Sequence, residues 1–231
     1  MTASDGTLLI LDTSTRTPVV ALARPDATII AGRHWQSHHR HGEELLQRIN
    51  ELLAEAAVGR GDLTGVVVGT GPGSFTGLRI GLATAKTIAY SLDIAIVGVS
   101  STLALGTALA AADPTRTEVT VTLPAGASDR YVHRIRFDRG TPVEAEPPYL
   151  VAGGEIDPAM VAVDVELADE AARELGTQAV EGLAAGLAAL GARLLAAGKA
   201  DDAAALVPAY VALPRGIARV AAEMEWAPDL R

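Results

Sequence analysis

Val66-Val-Val-Gly-Thr-Gly-Pro-Gly-Ser-Phe-Thr-Gly-Leu-Arg-Ile-Gly81 is the stretch from which the fold is read. Val66 to Val68 is an unbroken β-branched run, the mark of a strand buried on both faces, as parallel strands are. A glycine-rich turn follows, and then a helix from about Ser74 to Leu92. Ile94 to Val99 reads as another buried strand. Ser100-Ser-Thr102 supplies N-cap hydroxyls for a third helix over Leu103 to Ala112. Parallel strands require crossovers, and the helices supply them.

Upstream, Leu8 to Leu11 is a short apolar run that ends in Asp12. A polar turn leads to strands over Val19 to Ala23 and Ala27 to Gly32, with Pro25-Asp26 as the turn between them. Three strands with tight turns make an antiparallel meander. From Gly42, Leu45, Leu46, Ile49, Leu52 and Leu53 recur at helical spacing between charged residues, ending near Gly59-Arg-Gly61. The order β-β-β-α-β-α-β-α predicts a mixed sheet with helices on its faces.

Downstream, Asp113 to Thr117 is a break, and Val119 to Leu123 with Tyr131 to Phe137 reads as a new strand pair. A connection through Pro142, Pro147 and Pro148 leads to alanine-rich helices at about 166–176 and 178–198. The stretch at Pro208-Ala-Tyr210-Val is expected to return to the first domain. The expected division is a first domain over 1–105, completed by about 200–231, and a smaller one over 106–199.

Composition narrows the function. The 231 residues carry 19 Lys plus Arg against 28 Asp plus Glu, a net charge of −9. Such a chain repels phosphate backbones, which argues against a large RNA-binding face. The absence of cysteine removes disulfides, thiolate zinc sites and thiol catalysis. Leu103 to Ala112 is too short to span a bilayer, and Met1 to Thr7 lacks a basic end and an apolar block, so a cytoplasmic chain is expected. The 17 Arg against 2 Lys read as a genomic bias.

The turn is a candidate phosphate cradle, because N–H groups at a helix start suit an anion and Ser74 and Thr76 add hydroxyls. It is not a Walker A loop: Gly81-Leu-Ala-Thr-Ala-Lys-Thr87 has Ala85 where that motif needs glycine. Gly69-Thr-Gly71-Pro-Gly73-Ser74 also lacks the third glycine of a dinucleotide fingerprint. A tight turn without ligand is the competing reading. Gly77, Gly81, Ala85 and Ala89 recur every four residues, flanked by Leu78, Leu82 and Ile88, so another helix can approach closely. Either the domain's own core or a foreign chain fills that seam. If it is foreign, a bulky residue at Gly81 abolishes complex formation and spares the fold.

His34, His38, His39 and His41 crowd one segment without a spaced third ligand, and a solvated helix entry outweighs zinc there. Ser14, Ser74 and Ser100 lack a His-Asp support, which argues against hydrolysis.

Four blocks, in order, resemble the TsaB (YeaZ) family. They are Leu9-Ile-Leu-Asp12-Thr-Ser-Thr15, His41-Gly-Glu-Glu44-Leu-Leu, Gly71-Pro-Gly-Ser-Phe-Thr-Gly-Leu-Arg-Ile-Gly-Leu-Ala-Thr-Ala-Lys86 and Val97-Gly-Val-Ser-Ser101. The likeness is strong over about 8–105 and weak beyond. It implies an actin/Hsp70/sugar-kinase-like (ASKHA) α/β fold: two ribonuclease-H-like domains, with mixed sheets flanked by helices. In that superfamily the turn after the first strand faces nucleotide phosphates. The cofactor-binding candidates are therefore Asp12, Thr13, Ser14 and Thr15, with Gly71, Gly73 and Ser74. Asp12 would hold a hydrated Mg²⁺ there; the competing reading is a turn bonded to its own backbone.

The resemblance also implies a role. Family members act as non-catalytic partners of TsaD, which with the ATPase TsaE attaches threonylcarbamoyl to adenosine 37 of tRNAs reading ANN codons. No cofactor of its own is expected of this chain; ATP or ADP and a metal ion belong to the partners, and tRNA is met only indirectly. Helices at 42–57 and 74–92 would dock on TsaD, or on a second copy. The interface candidates are Leu45, Leu46, Ile49, Phe75, Thr76, Gly77, Leu78, Arg79, Gly81, Leu82, Ala85, Ile88 and Ala89.

This sequence departs from the family at Pro124-Ala-Gly126, Asp129-Arg-Tyr131 and Pro208-Ala-Tyr210-Val-Ala212, where the family has Asp-Ala-Arg, Glu-Val-Tyr and Pro-x-Tyr-Leu-Arg. The second half of a nucleotide cleft is thus eroded. The alternatives are an autonomous actin-like ATPase or sugar kinase, and a bare interaction module unconnected with tRNA.

Overall fold

A computed structural model describes residues 6–36, 41–126, 128–153 and 156–211, the side chains of 41–43 excepted. Strands β1 (Thr7–Asp12), β2 (Val19–Ala23) and β3 (Ile29–His34) form the expected antiparallel meander. Helix α1 (His41–Glu55) and a 3-10 turn at Arg60–Asp62 lead to β4 (Leu63–Gly69), which pairs parallel with β1. Helix α2 (Phe75–Leu92) crosses to β5 (Ala95–Val99), parallel to β4. The sheet order is β3-β2-β1-β4-β5.

Alternation sorts this sheet's side chains onto two cores. Leu9, Leu11, Val20, Leu22, Val66 and Val68 meet α1 and α2 through Leu45, Ile49, Leu52, Leu82 and Ala85. Leu8, Ile10, Ala21, Val67 and Val97 face the opposite way. There they meet α3 (Ser101–Ala112) and α5 (Leu183–Ala196) through Ala104, Leu105, Leu187 and Ala188. The Ser100 hydroxyl caps α3, accepting from Leu103 N–H at 3.3 Å.

The second sheet runs β10-β6-β7-β8, with β9 also paired to β7. Strands β6 (Glu118–Pro124) and β7 (Arg130–Asp138) are the expected antiparallel pair. Strands β8 (Thr141–Ala145), β9 (Tyr149–Val151) and β10 (Val161–Ala162) lie where a proline-rich connection was expected. Strand β8 is mostly exposed and β10 has two residues, so neither carries an apolar alternation that periodicity detects. Helix α4 (Glu170–Glu181) is capped by the Asp169 carboxylate and covers β10. The break between the last two helices falls at Gly182, with a 52° bend, and a Cβ there would press on Ala108 of α3.

The division at 105/106 needs amendment. Helix α5, placed by that division in the second domain, packs on the first sheet: a Cβ at Gly191 would overlap Val67, and Leu195 would lie 3.2 Å from a Cβ at Gly65. One continuous core joins Ile10 and Val67 to Val121, Ile135 and Phe137 of the second sheet. The segment after α5 bonds to β5: Asp201 N–H donates to Ile96 O at 2.8 Å, and its carboxylate accepts from Gly98 N–H at 2.7 Å. Among the described residues no single helix is long and apolar enough to cross a membrane.

Candidate functional site

Three chain segments meet at the end of β1: the turn after it, the glycine-rich turn before α2, and the first turn of α3. Asp12 is wholly buried among them. Its Oδ1 accepts from Ser14 N–H at 2.7 Å and Ser14 Oγ at 2.6 Å, and its Oδ2 accepts from Ser101 Oγ at 2.5 Å. Gly71 N–H donates to that same Ser101 Oγ at 3.0 Å, and Ser101 N–H to Gly71 O at 2.9 Å. Burial pushes the Asp12 carboxyl above the usual carboxylate range, against the pull of the Ser101 and Ser14 hydrogen bonds.

The cofactor candidates are therefore brought together and closed upon themselves. Thr13 Oγ1 donates to Gly77 O at 2.7 Å, Ser14 Oγ to Asp12, and Thr15 Oγ1 to Thr17 O at 3.0 Å. Thr13, Ser14 and Thr15 are each about 2% exposed. Ser74 N–H donates to Ser14 O at 2.7 Å, and the Ser74 hydroxyl caps α2 at Gly77 N–H. A Cβ at Gly69 would fall on the Asp12 carboxylate, and one at Gly73 on Ser14 O. The glycines admit the chain's own first turn. A Mg²⁺ ion and its waters need carboxylate oxygens open to them. Both Asp12 oxygens face protein donors in the interior, so these residues do not fit the ion; the turn's side chains bond partly within the turn and partly to Gly77 and Ser101.

The small-residue seam is corrected in the same way. Gly77, Leu78, Gly81, Leu82, Ala85 and Ala89 are buried against the chain's own sheet. A Cβ at Gly77 would strike Thr13 O, and one at Gly81 Thr13 Oγ1. Leu45 and Ile49 are likewise core residues. As built, these eight positions are filled from inside. Of the remaining candidates, Leu46, Thr76 and Arg79 are exposed, and Phe75 and Ile88 are half-buried. The solvent side of α2 also carries Ala83, Thr87 and Tyr90, with Tyr90 86% exposed and Leu46 of the adjacent helix 51% exposed. Tyr90 was legible as the residue opposite the seam, one helical face away.

A second feature has no local signature. Arg16, in the first turn, donates its backbone N–H to Asp164 Oδ2 at 2.7 Å and its Nη1 to Glu166 Oε1 at 2.6 Å, across 148 and 150 residues. This clasp joins the two sheets between cavities of about 370 and 530 Å³ that share Arg16, Asp164, Val165 and Glu166. Burial pushes Asp164 up despite Arg16, and Arg16 holds the exposed Glu166 down. Pro124, Gly126 and Ser128 to Arg130 border the larger cavity. The turn they form closes through Ala125 N–H to Asp129 O at 2.8 Å.

His133 is buried on β7, its Nδ1 2.6 Å from Thr102 Oγ1 of α3, and burial lowers its pKa. No group of three metal-ligating side chains occurs among the described residues. His38 and His39, and the His41 side chain, lie outside them.

A meander continued by parallel crossovers, joined through α3 and α5 to a second mixed sheet, is the architecture of the actin/Hsp70/sugar-kinase-like class. YeaZ from Pseudomonas aeruginosa superposes with a TM-score of 0.69 at 23% identity, over 89% of this chain and 99% of that one. Residues 35–148 match the model of a family described as TsaD, tRNA N6-adenosine threonylcarbamoyltransferase. TsaB of Bacillus subtilis is 43% identical over 95 residues, 41% of each chain. The aligned stretch thus spans about two fifths of that relative's length. A Mycobacterium tuberculosis protein described as uncharacterized is 32% identical over 209 residues, 90% of this chain and 92% of that one. The chain belongs to the TsaB/YeaZ family.

Proposed function

We propose that this chain is a non-catalytic subunit of a tRNA threonylcarbamoyl transferase assembly, docked on a TsaD protein through the outer sides of α1 and α2. The observation that carries the reading is the closed turn. Where a kinase of this fold would present hydroxyls and a carboxylate to phosphate and metal, all four groups at 12–15 bond within the fold. Chemistry then belongs to a partner, which brings the nucleotide and metal ion; TsaE joins the pair, and tRNA is met through the partners.

The outer helix face supports the docking half of the proposal. Tyr90 and Leu46 stand on it in an acidic chain with few aromatics, and tyrosine is among the residue types enriched at interfaces. The family-model match over 35–148 covers both helices, so the partner carries a related helix pair, and a pseudo-twofold contact is available. A homodimer through the same face would form when the partner is missing. The autonomous kinase alternative needs an open phosphate turn, which 12–15 does not supply.

Reconstitution tests the reading. TsaD, TsaE, the threonylcarbamoyl donor and tRNA are combined with and without this chain. Modification is expected only with it, and equal modification in both tubes removes the assigned role.

A further inference from the structure

Arg79 lies on the solvent side of α2, one turn beyond Phe75. Its guanidinium carbon sits 3.8 Å from the Phe75 ring centroid, and its Nε donates to the Tyr210 hydroxyl at 3.1 Å. The Tyr210 ring in turn packs on Phe75, with centroids 5.3 Å apart. The segment that brings Tyr210 is tied down. Ala209 N–H donates to Thr70 O at 2.8 Å, and Lys86 Nζ donates to the carbonyls of Ala204 and Leu206 at 3.3 and 3.1 Å. An exposed arginine normally gives up rotamer freedom when it binds; here a ring and a hydroxyl have already fixed it.

A guanidinium has five N–H donors in a planar fork. Tyr210 takes the one on Nε; those on Nη1 and Nη2 have no partner among the described residues, and no ion pair there includes Arg79. Arg79 thus keeps its forked end open toward solvent in a position already fixed by Phe75 and Tyr210.

We propose that Arg79 is a pre-set anchor that takes a carboxylate of the partner protein in a forked pair, and that Tyr210 is its positioning residue. The inference rests on the docking reading above. A carboxylate fits better than a nucleic-acid phosphate. The other cation of α2, Lys86, already donates to two carbonyls, and Ala83, Thr87 and Tyr90 on the same side are uncharged. Phosphate backbones are held by several cations together, whereas one arginine among apolar and aromatic neighbours is the pattern of a protein-interface hot spot.

Calorimetry of the full chain with its TsaD partner, at two salt concentrations, tests this. Arg79→Ala should weaken binding about 30-fold, and Arg79→Lys should recover only part, because an ammonium cannot fork. Tyr210→Phe should weaken binding about 3-fold alone, yet have no effect in an Arg79→Ala background. Thermal midpoints of all variants should match the parent.

Tight parent binding with equal binding by Arg79→Ala overturns the anchor and leaves docking intact. No binding by the parent overturns docking, and the anchor with it. Loss of tRNA affinity with unchanged partner affinity reassigns Arg79 to phosphate and overturns the carboxylate. Loss of self-association alone makes a second copy the occupant, with the same consequence.

Discussion

The Ser101 hydroxyl donates to the Asp12 carboxylate at 2.5 Å while accepting from Gly71 N–H at 3.0 Å. One side chain thus joins β1, the glycine-rich turn and α3. Removing the carboxylate leaves the Ser14 and Ser101 hydroxyls without their acceptor in the interior. Asp12→Ala should destabilise the fold by about 2–4 kcal/mol, measured by urea unfolding.

Asp12→Asn keeps one acceptor oxygen and removes the buried ionisable group. Because burial raises the Asp12 pKa, the unfolded chain releases this proton first as pH rises. Its contribution is full below about pH 4, the unfolded carboxylate value, and is lost as pH climbs through the folded value. Stability of the parent minus that of Asp12→Asn should therefore fall with rising pH; a difference that rises with pH contradicts this account of the site.

His133 acts in the opposite sense. Burial beside Thr102 depresses its pKa, so the unfolded state takes up the proton more readily. Its contribution is present above about pH 6.5 and is lost as pH falls through the folded value. Thermal midpoints of the parent should drop on acidification through this window relative to His133→Gln, whose profile should be flatter.

The two sides of α2 should respond differently to substitution. Gly81→Leu drives a side chain into Thr13 and should cost about 3 kcal/mol or more, seen as lost or molten structure by circular dichroism. This reverses the expectation that a bulky residue at Gly81 spares the fold. Tyr90→Glu, on an 86% exposed position, should leave the thermal midpoint within a few degrees of the parent.

The Arg16 clasp divides in the same manner. Glu166 and Arg16 are both exposed, so Glu166→Gln should not change stability measurably at physiological salt. Asp164 accepts the Arg16 backbone N–H and sits at φ 58°. Asp164→Ala loses that acceptor and puts alanine in the left-handed region, for about 1–3 kcal/mol by chemical denaturation.

Much of the first domain was legible because its elements are long and strongly patterned. Val19–Ala23 matches the expected strand residue for residue, Ser100 caps the helix it was expected to cap, and Ser74, where the second helix was expected to begin, is that helix's cap. Strands β8 and β10 were not legible, since one is exposed on most positions and the other has two residues. The glycines at 69, 73, 77 and 81 mark close approach, but what approaches is set by tertiary structure. Sequence could not distinguish a phosphate or a foreign helix from the chain's own Asp12, Thr13 and Ser14. The Arg16–Asp164 contact spans 148 residues and leaves no local trace at either end.

Affinity for TsaD, the proposed partner, measured by calorimetry on the parent and on folded Tyr90→Glu and Leu46→Glu chains, tests docking through the outer helix face most directly. The account predicts a stoichiometric complex for the parent and a loss of about 10-fold or more for each variant. A parent complex unchanged by both substitutions, or no complex at all, would contradict it.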